Sequence, residues 1–491
     1  MQSRPRPLPL SLLALLVATT LSACAVGPDY ASGDAPGAVL PSRYAHAGAA
    51  AQASTNQQAS INQPASSEAL RQWWSGFHDP VLDRIIDRVL AQNLDLQAAL
   101  ARVEQARAVA QLADAALLPS ASANLQVQQQ RQSLRSPLGQ IASNFPGYER
   151  NHMQYDLGVG ASWEIDLFGG LHRQREADLA SAEAAAADGL GVRISLAAEA
   201  ADAYFRLRGA QARLQVLEQQ IAAERQLSEL VALRLQDGFS NRRELAQAQA
   251  RLAGARAAVT PVRAEIEVQR NRLDVLMGAA PGSLATQWTS DAPTMAAAPS
   301  LEALPAPAQL LRRRPDVMAA ERRLAASNAR IGVAMSEYYP KLSLSGLLGF
   351  ESLSRFELSE RTLQPTAVAG LRWRLFDFGR VDAEVAAAKG AHAEDLSRFR
   401  QAMLKATEDV ENALVNESEV DQRRLALQQQ KAASEEALRA VTEAFDHGAE
   451  SRVEVLEQTR QLLAAQDQLI VAEAESARAS VGLYRALGGG W

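Results

Sequence analysis

The sequence predicts a mainly α-helical protein with a small β part, built from two copies of one unit. Three observations predict it. Hydrophobic residues make up 47 % of the 491 residues but aromatics only 5 %, so the apolar content comes mainly from Ala and Leu, both strong helix formers. Landmarks also recur at a fixed distance: Trp163-Glu164-Ile165-Asp166-Leu167-Phe168-Gly169 returns 210 residues later as Trp373-Arg374-Leu375-Phe376-Asp377-Phe378-Gly379. At the same offset Gly238 maps onto Gly448 and residues 271–278 onto 481–488, and a shared period over several landmarks marks structural repeats. Finally, short segments alternate apolar and polar residues with the period of two that belongs to strands.

The length alone would suit two or three domains. A net charge of −6 argues against a nucleic-acid binder, which carries a basic patch. A single cysteine excludes a disulfide framework and any multi-cysteine metal cluster.

The chain opens on Arg4 and Arg6 followed by an apolar run from Leu8 to Leu21, then Ser22 and Ala23 before Cys24. This is a secretory signal peptide over 1–23. Leu21-Ser22-Ala23-Cys24 matches the lipobox of bacterial lipoproteins, in which the cysteine is acylated and becomes the new N-terminus. Removal of the two arginines takes the charge from −6 to −8. Two or more acyl chains anchor a protein stably. Residues 24–79 then read as a lipidated, extended N-terminal segment. Beyond residue 24 no stretch has the eighteen or more apolar residues of a transmembrane helix.

The first repeat spans 80–277 and the second 308–487, with a linker at 278–307 between them. In each, a helical stretch ends at a Pro (80–118 and 308–339), two alternating segments follow, a long helix comes next (171–236 and 381–446), and a Gly-containing turn leads to a closing helix (241–277 and 451–487). Leu118-Pro119-Ser120 corresponds to Tyr339-Pro340-Lys341 with a slightly different offset, absorbed by a longer loop in the first repeat. Gly488-Gly489-Gly490 reads as a flexible tail over 488–491.

The strands fall at about 120–130, 155–167, 341–350 and 366–376. In the second of them Tyr155, Leu157, Val159, Ala161, Trp163, Ile165 and Leu167 form a greasy face. Asp156, Gly158, Gly160, Ser162, Glu164 and Asp166 form the opposite one. Ala367, Ala369, Leu371, Trp373 and Leu375 repeat the greasy face, opposite Arg372 and Arg374. Strands of this length, apolar on one side and polar on the other, carry the signature of a transmembrane β-barrel; a soluble two-sheet core shares the alternation. Four strands cannot close a barrel and open edges are not tolerated in lipid, so the chain is expected to oligomerise. Two copies would give a side-chain-filled barrel of eight strands and three a wider one of twelve; Gly158, Gly160 and Gly370 on the inner face suit the wider barrel.

Residues 171–236 would span about 99 Å as a helix and the two shorter helices of that repeat together about 108 Å, so two short helices stacked end to end match one long one. Leu207, Leu214, Leu217 and Ile221 keep a 7-3-4 spacing suited to coiled-coil-like packing. The expected arrangement is a tube of packed helices; an extended stalk is the alternative.

No catalytic site is predicted. The six histidines are scattered, with no metal-binding pair, nucleophile elbow or phosphate-binding loop, and no cofactor or metal is expected. The acidic residues after the two tip turns are the candidate site. Glu454 and Glu457 stand at i and i+3, so both carboxylates lie on one face of the helix start. In an oligomeric tube they would stack as rings, which select cations and gate pores; they also fit a solvated helix N-terminus, where the dipole favours acids.

Cys24-Ala25-Val26-Gly27-Pro28-Asp29-Tyr30, Trp73-Trp74 and Phe77-His78-Asp79-Pro80-Val81-Leu82 resemble the opening of TolC-type outer-membrane efflux lipoproteins of the NodT/OprM branch. The duplicated layout agrees over nearly all of the mature chain. The resemblance implies a homotrimer whose twelve strands form an outer-membrane barrel and whose long helices form a periplasmic α-barrel. It also implies a passive duct that docks onto an inner-membrane pump through a periplasmic adaptor and exports small molecules. By the same resemblance Ala25 after the lipidated cysteine favours the outer membrane. The constriction positions fall on Glu454 and Glu457, glutamates where aspartates are expected; Glu244 holds the equivalent place in the first repeat, and Arg452 could pair with the acids in the closed state. A type I protein-secretion duct and a poreless lipid-anchored stalk are the competing functions.

Overall fold

The computed structural model describes residues 25–31, 44–46, 71–283, 313–353 and 355–490. The expected signal peptide, Cys24 and much of the expected linker lie outside the described residues. Long helices and one small antiparallel sheet make up the described residues, the fold class that the composition and the alternation predict. A short 3-10 turn (Trp73–Phe77) leads to α1 (Pro80–Gln92), α2 (Leu94–Ala116), β1 (Ser120–Arg131), α3 (Pro137–Ala142), β2 (Asn151–Ile165), α4 (Gly170–Gln236) and α5 (Arg242–Leu276). The second half holds α6 (Pro315–Ser336), β3 (Lys341–Leu353), β4 (Leu363–Arg372), α7 (Arg380–Asp446) and α8 (Arg452–Ala486).

The duplication is visible in the lengths. Helices α4 and α7 each have 67 residues and begin 210 residues apart; α5 and α8 each have 35 and begin at the same offset. The tip turns between them pass through Gly238 (φ 81°) and Gly448 (φ 76°). This left-handed backbone is one that only glycine adopts without a steric penalty.

The chain folds as two compact units. The first comprises Met1–Pro36, Glu104–Ala184 and Glu321–Arg398, and the second Gly37–Val103, Ala185–Ala320 and Phe399–Trp491. Each long helix starts in the first and continues in the second.

The first unit carries the sheet, an antiparallel meander in the order β1-β2-β3-β4. Its registers line up one kind of residue per face. Leu125, Leu157 and Phe350 stand side by side, as do Ala123, Val159 and Leu348, and Trp163, Leu344 and Ala369. The other face aligns Gln126 with Asp156 and Glu351, Asn124 with Gly158 and Gly349, and Glu164 with Ser343 and Gly370. Leu347, Leu353 and Val368 are the large apolar exceptions on this face; a Cβ on Gly158 would lie 3.0 Å from Leu347 Cδ1, so glycine leaves room for that leucine.

The first unit also fixes the start of the described chain. Val26 donates its N–H to Phe168 O at 3.2 Å, and the buried Arg173 donates to Val26 O (3.2 Å) and Asp29 Oδ1 (2.5 Å). Asn328 donates to Pro28 O at 2.9 Å. Gly169 and Ala25 approach so closely that a Cβ on Gly169 would stand 2.8 Å from the Ala25 Cα.

The second unit contains the main core. Trp73 stacks on Tyr484 with ring centroids 5.5 Å apart and meets Trp74 edge-on at 5.7 Å, while Phe77 packs on Phe205 at 4.8 Å. Burying side chains of this size contributes about 1.5–3 kcal/mol each, so the Trp-Trp-containing segment is a plug inserted into the helices. Helix α1 follows with Leu82, Ile85, Ile86 and Val89 buried on one face. Asp79 caps it through Val81 N–H (2.9 Å) and Leu82 N–H (3.3 Å), and the buried Tyr204 hydroxyl donates to the second Asp79 oxygen at 2.6 Å.

The structure departs from the sequence expectation at three places. The first helical stretch of repeat one is two helices, broken at Asn93, whose backbone is extended. Its side chain caps α2 through Leu96 N–H (3.0 Å) and donates to Leu276 O (2.9 Å), a bond to a distant helix end that local sequence does not reveal. The glycine tail is not loose. Leu487–Gly490 are buried, Gly489 N–H bonds Tyr484 O at 2.9 Å, and Arg193 donates to Gly490 O at 3.1 Å, closing α8 against the tryptophan core. Strand β4 stops at Arg372, short of Trp373 and Leu375, because its next residues have no neighbouring strand within this chain.

Candidate functional site

The tip of the second unit holds the predicted acids. Asn241 and Ser451 begin α5 and α8 as N-caps, accepting from Glu244 N–H (3.0 Å) and Glu454 N–H (3.3 Å). Each turn thus presents a glutamate three residues after its cap, the spacing of a capping box. Leu227, Val231, Ala248 and Leu456 pack beneath and fix α4, α5 and α8 together.

The four predicted gate residues differ in surroundings. Glu244 accepts from Ser240 Oγ (2.7 Å) and Asn241 Nδ2 (2.8 Å), hydrogen bonds that hold its carboxyl below the usual range, the serine contributing most. Its oxygens are occupied by the turn. Glu454 is half-buried and accepts from Gln458 Nε2 at 3.4 Å. Glu457 is half-buried and pairs with Arg460 on its own helix, with the Arg460 Nε 3.1 Å from Oε1; this bond holds Glu457 below the ordinary carboxylate range. Arg452 lies over the Phe445 ring, 5.8 Å from its centre. Within one chain, then, the arginine hydrogen-bonded to Glu457 is Arg460 and not Arg452.

Two residues that spacing did not single out complete the cluster. Arg251 of α5 stands 4.0 Å from Glu457 Oε2 and 3.8 Å from Glu224 Oε2 of α4. Glu224 is buried, its Oε2 without a hydrogen-bond partner, and burial pushes its carboxyl upward. Arg460 was findable as an i+3 counterion of Glu457. Glu224 and Arg251 were not, since Arg251 approaches Glu457 and Glu224 from a third helix.

The second feature is the sheet. Leu125, Val127, Val159, Leu348, Leu371 and Trp373 are exposed on its apolar side, and β1 and β4 are edges with one free side each. Exposed apolar patches of this kind mark a surface that meets lipid or protein. Among the described residues no helix is long and apolar enough to cross a membrane.

Residues 85–279 and 306–489 match the family described as outer membrane efflux protein. The chain belongs to this family. The outer membrane efflux relatives include the pyoverdine export outer membrane protein OpmQ of Pseudomonas putida, 33 % identical over 86 % of this chain and 88 % of that protein. The cation efflux system protein CusC of Escherichia coli O6:H1 is 28 % identical over 98 % of this chain and 99 % of that protein. Among solved structures, the outer-membrane channel OprN is 32 % identical with a TM-score of 0.76, covering 95 % of this chain and all of that one. A CusC structure is 25 % identical with a TM-score of 0.74 over the same shares. These relatives are outer-membrane efflux channels, not enzymes, and the family places this chain at the outer membrane.

Proposed function

We propose that this protein is the passive exit duct of a tripartite efflux system. Three copies close a twelve-stranded barrel in the outer membrane, and their long helices form a periplasmic tube. A periplasmic adaptor and an inner-membrane pump deliver small molecules to it. The observation that carries this reading is the sheet itself, apolar and exposed on one face, polar and glycine-bearing on the other, with unpaired edges. Unpaired strand edges are not tolerated in lipid, so the sheet must be closed by further copies. Twelve strands leave a wet interior that eight would fill with side chains.

Cys24 carries the lipid in this reading. What supports it is the seating of Ala25 against Gly169, four residues past the end of β2: an acyl chain on the preceding residue would start at the foot of the sheet. Glu454 and Glu457 line the periplasmic constriction, Arg460 and Arg251 set the reach of Glu457, and Glu244 with Arg452 stabilise the tip turns.

The test is a deletion strain. Loss of the gene should raise cellular retention of small toxic compounds or an exported metabolite, with rescue by the wild-type chain and none by a chain lacking β1–β2. Unchanged small-molecule retention together with lost secretion of a protein substrate would overturn this reading in favour of type I secretion. The lipoprotein assignment fails separately if Cys24→Ser is still acylated.

A further inference from the structure

The internal repeat contains the instructions for its own closure. Ser120 pairs with Ser162 in the first hairpin, and Lys341 with Arg372 in the second. The second pair is the first shifted by 221 residues on one strand and 210 on the other, the offsets that also relate Leu118 to Tyr339 and Trp163 to Trp373. The two hairpins are therefore one unit repeated in register. The bond between them is β2 to β3, where Trp163 faces Leu344, Glu164 faces Ser343 and Ile165 faces Leu342.

We infer that β4 meets β1 of the next copy in the register that β2 and β3 use within the chain. This rests on the ring of copies proposed above. Carrying the offsets across sets Trp373 opposite Ala123 of the next copy, Arg374 opposite Ser122, Leu375 opposite Ala121, Leu371 opposite Leu125 and Ala369 opposite Val127. The register sets Ala369, Leu371, Trp373 and Leu375 beside apolar residues of the next copy, while Ala367 and Val368 meet Gln129 and Gln128; a slip by one would set those four against polar residues.

Two independent observations fit this register. Residues Trp163–Ile165 have no partner on β1, whose ladder ends at Ser120, and are held by β3 alone. Their counterparts 373–375 have no such neighbour within the chain and are not in β4. In the ring, Ala121–Ala123 of the next copy supply it. Beyond the strands, Phe168 stacks on Tyr339 with ring centroids 4.6 Å apart. The counterpart of Phe168 is Phe378, fully exposed, and the counterpart of Tyr339 is Leu118, 66 % exposed. The geometry gives Phe378 the side chain of Leu118 on the next copy as its cover.

The test is cysteine cross-linking in the full chain, whose natural cysteine is Cys24 alone. Leu371→Cys with Leu125→Cys is the in-register pair; Leu371→Cys with Ala123→Cys or with Val127→Cys is shifted by two. Within one chain the two edges stand three strand spacings apart, about 14 Å, beyond the reach of a disulfide. Any bond is therefore between copies. Opposed residues have Cβ atoms about 5 Å apart and diagonal ones about 7–8 Å. Oxidation should give covalent dimers and trimers from the in-register pair, several-fold more than from either shifted pair. Preferential cross-linking of a shifted pair overturns the register and leaves ring closure standing; no cross-linking of any pair overturns both. A photoreactive phenylalanine at position 378 provides a variant that leaves the sheet untouched. It should form an adduct with the Leu118 segment of another chain, and adducts confined to its own chain would contradict the inference.

Discussion

Trp163 and Trp373 make the same hydrogen bond 210 residues apart. Each indole Nε1 donates over 2.9 Å to a backbone carbonyl, of Leu117 in one case and Tyr338 in the other. Both tie the end of a strand to the chain just before its hairpin partner begins. Removing either donor with Trp→Phe should cost about 1 kcal/mol, and the two costs should agree. Urea or thermal denaturation of the purified protein in detergent checks this. A loss at one position without the other would show that the two repeats are not energetically equivalent.

The glycines of the helix ends give a graded series. Gly278 has φ 72°, and a Cβ there would lie 2.5 Å from Gln92 O, whereas Gly238 has φ 81° and open space around it. Left-handed backbone costs a non-glycine residue about 1–2 kcal/mol. Gly238→Ala should lower stability by about that amount alone. Gly278→Ala should cost clearly more, because a backbone carbonyl must also move. Melting temperatures of the two variants decide it.

The Glu457–Arg460 pair sets a pH dependence. The folded value of Glu457 is lowered, so its stabilisation is fully present above the ordinary carboxylate range and is lost as pH falls through the lowered value. Glu224 has the opposite sign: its folded value is raised, so stability from this group declines as pH climbs from the ordinary value through the raised one. Glu457→Gln should therefore be less stable than the wild type near neutrality, by about 0.5 kcal/mol since both partners are partly exposed. The two proteins should converge as the pH is taken well below about 4. Unfolding curves across that range test the sign.

The proposed constriction charge is testable apart from stability. Glu454→Gln with Glu457→Gln should reduce cation preference in reversal-potential measurements and change the open conductance, as rings of carboxylates select cations. Unchanged selectivity would make the two acids helix-start residues only. Arg460→Ala should alter the same readouts by freeing Glu457, whereas Arg452→Ala should not, since Arg452 rests on Phe445.

Much of the fold was legible because one-sided burial writes itself into sequence with a fixed period. The alternation from Tyr155 to Ile165 lies within β2, and the equal spacing of Gly238 and Gly448 marks two turns of one kind. What stayed hidden depends on partners far along the chain. Asn93 breaks a helix because Leu276 offers it a carbonyl, and the final glycines are ordered because Arg193 and the tryptophans meet them. In the candidate site, Glu454 and Glu457 could be placed on one helix face from spacing. Glu224 and Arg251 could not, since their proximity to Glu457 is produced by the packing of three helices. The end of β4 differs from the alternation for another reason: alternation reports which face a residue will present, not which chain supplies its neighbour.

The most direct test of the duct is conductance across a planar bilayer by the purified oligomer, wild type and with Glu454→Ala plus Glu457→Ala. Discrete channel steps are expected, cation-preferring in the wild type and larger or less selective in the double variant. An intact oligomer that inserts into the bilayer yet never conducts in either form would contradict the proposed duct.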